Sequence, residues 1–385
     1  MLRTIYTEDH EAFRDTLRSF IEAEVVPHYD EWYANGIVPK EFYRKLGELG
    51  VFGIEVPEEF GGAGEHTFKY EAIIAEECAR AGVSFGGSGV HVNLCLPYLM
   101  KYCTQEQKER WLPGFVEGTN MFAIAMTEPG TGSDLAGMKS TAKLSEDGTH
   151  YVLNGSKTFI TGGVNADRVI VCARTSPATA EDRRYGISLF VVDTTLPGYE
   201  VGRKLDKLGL KVSDTAELSF TDVEVPVEDL LGEENKGFGY LGQNLPQERL
   251  SIANGAYAQA KAAIAFAQDY TQQRNIFGKP VASFQNTKFE LAACKAKLDA
   301  MESSVDRGIE LHDAGKLTAA DAASLKLFCT EAASDIIDRC LQLHGGYGYM
   351  NEYPIARLYA DNRVNRIYGG TSEVMKTIIA KDMGL

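Results

Sequence analysis

Thr127-Glu128-Pro129-Gly130-Thr131-Gly132-Ser133-Asp134 is where the chain changes texture. Pro129 and two glycines oppose regular structure there and leave backbone N–H groups free, with the hydroxyls of Thr127, Thr131 and Ser133 beside them. Before it, from residue 7 to about 117, apolar residues recur at helical spacing, as in Phe13, Leu17, Phe20, Ile21 and in Phe42, Leu46, Leu49. After it come short β-type runs: Tyr151-Val152-Leu153, Val169-Ile170-Val171, Ile187-Ser188-Leu189-Phe190-Val191 and Ala216-Glu217-Leu218-Ser219-Phe220. Asp147-Gly148, Asn154-Gly155 and Pro197-Gly198 supply the turn chemistry between strands.

Past Gly232 the helical period returns in Ala-rich stretches over 246 to 273, 284 to 313 and 318 to 343. The expected class is α+β, with an N-terminal helical domain over 1–118, a middle β-barrel domain over 119–232 and a C-terminal four-helix bundle over 233–385. Two helical domains around a small barrel create clefts suited to an extended ligand.

A chain of 385 residues is too long for a small binding module. With 44% hydrophobic and 24% charged residues it has an ordinary globular composition. The formal net charge of -15 argues against nucleic acid as a partner, although a local group of Arg, Lys and backbone N–H can still hold an anion. Seven scattered cysteines without a C-x-x-C pair point to a reducing compartment and no structural zinc. The acidic start Thr7-Glu8-Asp9-His10-Glu11 does not read as a secretory signal, and no run of 18 apolar residues predicts a membrane span; a cytoplasmic protein is expected.

Gly82-Val83-Ser84-Phe85-Gly86 matches the G-x-S-x-G nucleophile elbow and raises a hydrolase as the rival reading. An elbow needs a strand before its serine, whereas Ala75-Glu76-Glu77-Cys78-Ala79-Arg80 reads as a helix end. The histidines form no H-x-x-x-H pair, and no G-x-G-x-x-G fingerprint is read after a strand.

The loop at 127–134 can offer several donors to a polar ring edge or a phosphate, though alone such a stretch is by default a surface turn. Four further pieces follow in order: Asn154-Gly155-Ser156-Lys157-Thr158-Phe159-Ile160-Thr161, Arg274-Asn275-Ile276-Phe277-Gly278, Gln342-Leu343-His344-Gly345-Gly346-Tyr347-Gly348 and Ile367-Tyr368-Gly369-Gly370-Thr371-Ser372-Glu373. Together with Ala125-Met126 before the loop, they resemble the acyl-CoA dehydrogenase family along the whole chain. The resemblance implies FAD as cofactor, an acyl-CoA substrate, an electron-transfer flavoprotein as redox partner and a homo-oligomer, a tetramer in this family. It implies that residues 124 to 133, among them Met126, Thr127, Gly132 and Ser133, contact the flavin with Phe159, Ile160 and Thr161, Phe159 standing where Trp is common. Arg274, Phe277 and Gln285 would reach the FAD of a neighbouring subunit, and Gln342, Gly345, Gly346, Thr371 and Glu373 would complete the cofactor site. Ser133, Tyr240, Arg249, Tyr368, Gly369 and Gly370 would meet the thioester.

Desaturating an acyl thioester needs a carboxylate for the α-proton while hydride leaves the β-carbon. Many members carry that Glu immediately before Gly-Thr, but here the position is Gly369. A subgroup resembling the long-chain and isovaleryl enzymes places it earlier, in a segment like Leu245-Pro246-Gln247-Glu248-Arg249-Leu250, which makes Glu248 the expected base. Pro246 is read as opening that helix, so a dipole-stabilised Glu248 with no catalytic part is the bland alternative. The backbone N–H of Gly369 can still polarise the thioester carbonyl, and Arg249, about 100° round the helix, serves the CoA portion or packing. The runner-up is an acyl-CoA or nitroalkane-type oxidase, which would release peroxide; a silent flavoprotein is favoured only if both base positions are empty.

Overall fold

The computed structural model describes residues 3–385. The N-terminal unit consists of α1 (Glu8–Phe20), α2 (Tyr29–Asn35), α3 (Lys40–Glu48), α4 (Lys69–Ala81), α5 (Leu96–Tyr102) and α6 (Gln105–Val116), with a π-helical turn at Val90–Cys95 leading into α5. Helix α4 stops because Gly82 takes a left-handed φ of 68°, which costs glycine little. Ser84 therefore follows a helix, and its Oγ accepts from the Gly86 N–H at 3.3 Å, so the elbow geometry of a hydrolase is not formed.

The middle unit holds β1 (Phe122–Ala125), β2 (Thr141–Leu144), β3 (His150–Thr161), β4 (Arg168–Arg174), β5 (Ile187–Asp193), β6 (Tyr199–Lys204), β7 (Thr215–Pro226) and β8 (Leu230–Leu231). They pair in the order β6-β7-β3-β2-β4-β5-β8, with β1 parallel to β4. No described pairing joins β6 to β8, so the expected barrel is here one eight-stranded sheet without a closing ladder. Alternation buries Leu153, Val223 and Val225 with Val169, Val171 and Phe190 as one core. Asp147-Gly148 and Pro197-Gly198 do form turns, with Gly148 and Gly198 at positive φ. Asn154-Gly155 does not: it lies inside β3 at a register shift against β7, where a side chain on Gly155 would meet Ser140 Oγ at 2.3 Å.

The C-terminal unit is α7 (Gly237–Gln273), a short hairpin of β9 (Asn275–Ile276) and β10 (Lys279–Pro280), then α8 (Gln285–Asp313), α9 (Ala319–Leu343), α10 (Pro354–Asn362) and α11 (Ser372–Asp382). The four-helix expectation becomes three long helices, with the shorter α10 and α11 packed on α9. Helix α7 packs on α9 and α8 and also on α4, so it ties the bundle to the N-terminal unit.

Pro246 does not open its helix: α7 begins nine residues earlier, at Gly237, and carries the proline inside. An interior proline clashes with the carbonyl four residues back, here that of Gly242, an exposed glycine with open space where a side chain would stand. Glu248 thus sits well inside the helix, beyond the first turn where the dipole acts, which removes the bland account of it. Gly237-Phe238-Gly239-Tyr240-Leu241-Gly242 does match G-x-G-x-x-G after the two-residue β8, against expectation. All three glycines are helical and β8 is antiparallel to β5, so no parallel βαβ unit forms around them.

Candidate active site

Glu248 meets the Gly369-Gly370 turn between α10 and α11. Both glycines have left-handed φ, 62° and 95°. A β-carbon on Gly369 would lie 3.2 Å from Glu248 Oε1, 2.4 Å from Ile252 Cδ1 and 3.6 Å from Lys326 Cε. The space that a C-terminal side chain would take is the space the Glu248 carboxylate faces.

Two cations fix this turn through its carbonyls. Lys326 of α9, only 1% exposed, donates from Nζ to Gly370 O at 2.5 Å, and the buried Arg249 donates from Nε to Gly369 O at 3.4 Å. Each carbonyl is held from one side, which fixes the peptide planes that carry the N–H groups of Gly370 and Thr371. Glu248 keeps intermediate exposure, and burial raises its carboxyl above the ordinary range against the opposing charges of Arg249 and Lys326. Burial in turn brings the Lys326 ammonium down to about 8, Arg249 adding to the effect and Glu248 resisting it. Tyr368 stands near the same carboxylate, with its Oη donating to Asn365 Oδ1 at 2.6 Å.

A second group gathers at the sheet edge. Thr158 N donates to Thr127 O at 2.9 Å, bringing the loop after β1 against the end of β3. Beneath it the fully buried Lys157 reaches Glu128 Oε1 at 2.9 Å and Met126 O at 3.2 Å. Glu128 also accepts from the N–H groups of Lys139 and Ser140. Burial works against its charge, but these hydrogen bonds and Lys157 hold the carboxyl below its usual range. On this support Phe159 is 68% exposed at a φ of 61°, Ile160 is buried and Thr161 faces Thr215 across β7. Gly132 and Ser133 are exposed, no atom stands near where a side chain on Gly132 would project, and Thr131 Oγ1 is buried without a partner. A strained, exposed aromatic thus stands beside a loop carrying a buried hydroxyl without a partner.

The remaining expected residues lie elsewhere. Arg274, Phe277, Gln285, Gln342, Gly345 and Gly346 are all exposed at the bundle's end, with the Arg274 guanidinium 5.6 Å from the Tyr347 ring and Phe277 92% exposed. Thr371 caps α11 by accepting from Val374 N, with Glu373 exposed in the first turn. Tyr240 stacks on Tyr102 at 3.9 Å and accepts from Glu233 N; it is not in the wall of the cavity beside α7. That cavity, about 230 Å³, lies between α4, the π-helical turn and α7, and Asn93, Ser251 and Gly255 line it.

Lys326 was not an expected site residue, yet a signal existed: it falls on the stripe Ala322, Ala323, Cys329, Ala333, Ile336, Cys340 that α9 buries, where a lysine must find a partner. The Glu128–Lys157 pair had no such signal, because a lysine in a strand is as often solvated.

Three family models match the chain: acyl-CoA dehydrogenase N-terminal domain over residues 7–119, middle domain over 123–223 and C-terminal domain over 235–384. The chain is 44% identical to the long-chain specific acyl-CoA dehydrogenase, mitochondrial, of Sus scrofa over 99% of its length and 88% of that protein. A crystal structure of acyl-CoA dehydrogenase from Geobacillus kaustophilus superposes with a TM-score of 0.96 at 45% identity, covering all of both chains. One from Bacillus anthracis complexed with FAD gives 0.90 at 34%, covering 98% of this chain and 67% of that one. Relatives matched over nearly the whole chain make it a flavoprotein oxidoreductase acting on CH–CH groups. The chain belongs to the acyl-CoA dehydrogenase family.

Proposed function

We propose that the protein desaturates saturated acyl-CoA thioesters to trans-2-enoyl-CoA with Glu248 as the base. The observation that carries this reading is the fit between Glu248 and Gly369: with no side chain at 369, the Glu248 carboxylate is the acid group facing that turn. FAD, held by Met126, Thr127, Gly132, Ser133, Phe159, Ile160 and Thr161, would supply the acceptor for the hydride leaving the β-carbon.

Glu248 removes the α-proton. Burial raises its carboxyl and makes the ionised carboxylate a stronger base, while Arg249 and Lys326 act in the opposite sense and favour the charged form. The N–H of Gly369 donates to the thioester carbonyl, which acidifies the α-position without any side chain. Lys326 and Arg249 are positioning residues, since they reach the substrate only through the carbonyls of Gly370 and Gly369.

The exposed face of Arg274, Phe277 and Gln285 serves a neighbouring subunit's cofactor in a homo-oligomer, a tetramer by resemblance, and 342–346 with Thr371 and Glu373 join it. Exposed Phe277, Phe289, Tyr347 and Tyr349 on this unit are apolar surface that a partner would cover. Electrons leave to an electron-transfer flavoprotein. Anaerobic titration with short, long and branched acyl-CoA esters tests the reading. Flavin absorbance falls with at least one ester, and no bleaching by any of them defeats it.

A further inference from the structure

The cavity beside α7 is not uniformly apolar. Phe52, Phe68 and Ile74 line it, but Glu71, Asn93 and Asn254 interrupt the wall. Asn93 Nδ2 donates to Glu71 Oε2 at 3.0 Å, which leaves Asn93 Oδ1 buried without a partner. Asn254 is 1% exposed and its Oδ1 also has none. Asn93 belongs to a π-helical turn, a local widening frequent at functional sites. Burial pushes the Glu71 carboxyl up to about 7 against the pull of the Asn93 hydrogen bond, so around neutrality it too can donate or accept.

An apolar acyl chain filling this space would bring no donor to the two amide oxygens and would leave the Glu71 carboxyl, when protonated, as an acidic group of the wall able to serve one of them. We infer that this cavity receives the acyl chain and selects chains carrying a hydrogen-bond donor, a hydroxyl in its simplest form, near the distal end, with Asn254 and Asn93 accepting from it. The inference rests on the acyl-thioester reading. Asn254 follows Glu248 by six residues, roughly 9 Å along the α7 axis and about 240° round it, so the hydroxyl would sit at least about seven carbons beyond the α-carbon. Ser251, whose Oγ donates to Glu248 O at 2.9 Å, lines the cavity between them.

The FAD-loaded protein is tested with decanoyl-CoA and ω-hydroxydecanoyl-CoA under anaerobic conditions, and calorimetry follows the unreactive S-alkyl thioether counterparts. The expected result is a kcat/KM and a thioether affinity at least about tenfold higher for the hydroxylated member, because a site built around a substrate hydroxyl rejects the analogue lacking it. Asn254→Leu and Asn93→Leu should each shift the preference toward decanoyl-CoA. Equal or better handling of the apolar chain by the unsubstituted protein overturns the inference and leaves the dehydrogenase reading standing. A hydroxyl preference in thioether binding with no bleaching by either ester does the reverse.

Discussion

Glu248 Oε1 stands 3.2 Å from the point where a β-carbon on Gly369 would be. The two positions lie 121 residues apart in the chain, counting from 248 to 369, and share one small volume. A carboxylate can occupy it from α7 only because 369 is glycine. That exclusion makes the site open to test by substitution.

Gly369→Ala places a methyl against Ile252 and Glu248 at a φ that L-residues adopt with strain. Overpacking and strain together cost about 1–3 kcal/mol. The rate of flavin bleaching should fall by at least about tenfold, and the melting temperature should drop by several degrees. A variant with wild-type single-turnover rates would show that the carboxylate works from another place.

Glu248→Gln preserves size and removes the base. Bleaching by acyl-CoA should slow by about 10²–10⁴-fold while the flavin spectrum and thioester binding persist. Stopped-flow absorbance and equilibrium titration separate the two effects.

The pH dependence has a definite sign. Glu248 acts when ionised, so single-turnover reduction is slow in acid, climbs through an ionisation above the ordinary Glu range and then levels. Lys326→Met deletes a positive charge that favours the carboxylate, and the climb should move to higher pH. Lys326→Arg keeps the charge and should move it less. A Met variant with an unshifted profile but a lower melting temperature would assign Lys326 a packing role alone.

Lys157→Met leaves Glu128 buried without its cation. Breaking a buried pair from one side costs roughly 3–5 kcal/mol, and the loss falls on the segment carrying Met126 and Thr127. Thermal unfolding should shift down markedly and the protein should release FAD on gel filtration. Retention of both stability and FAD would mean that the pair is not what holds the loop.

Phe277 is the most exposed large apolar side chain of the bundle. Phe277→Asp should dissociate the oligomer, seen by light scattering, and weaken FAD retention several-fold. A monomeric wild-type protein that holds FAD fully would remove the shared-site proposal.

Much was legible from local patterns alone. The 3.6-residue period marks α8 and α9 to within a residue, because each buries one face against a continuous core. Alternating and β-branched runs mark β3, β4, β5 and β7 for the corresponding reason. Glu248, Gly369 and the 127–134 loop stand out through the resemblance to the acyl-CoA dehydrogenase family, since by itself each stretch reads equally as a helix start, a turn or a surface loop. Tertiary structure decided the rest. Asn154-Gly155 resembles a turn but became a bulge because β7 and Ser140 lie alongside it. Pro246 resembles a helix start but lies within α7, whose length is held by packing on α9 and α4 rather than by propensity. The partners of Lys326, Glu128 and Asn254 come from distant segments, and a buried polar group's role depends on which donor or acceptor folding brings to it.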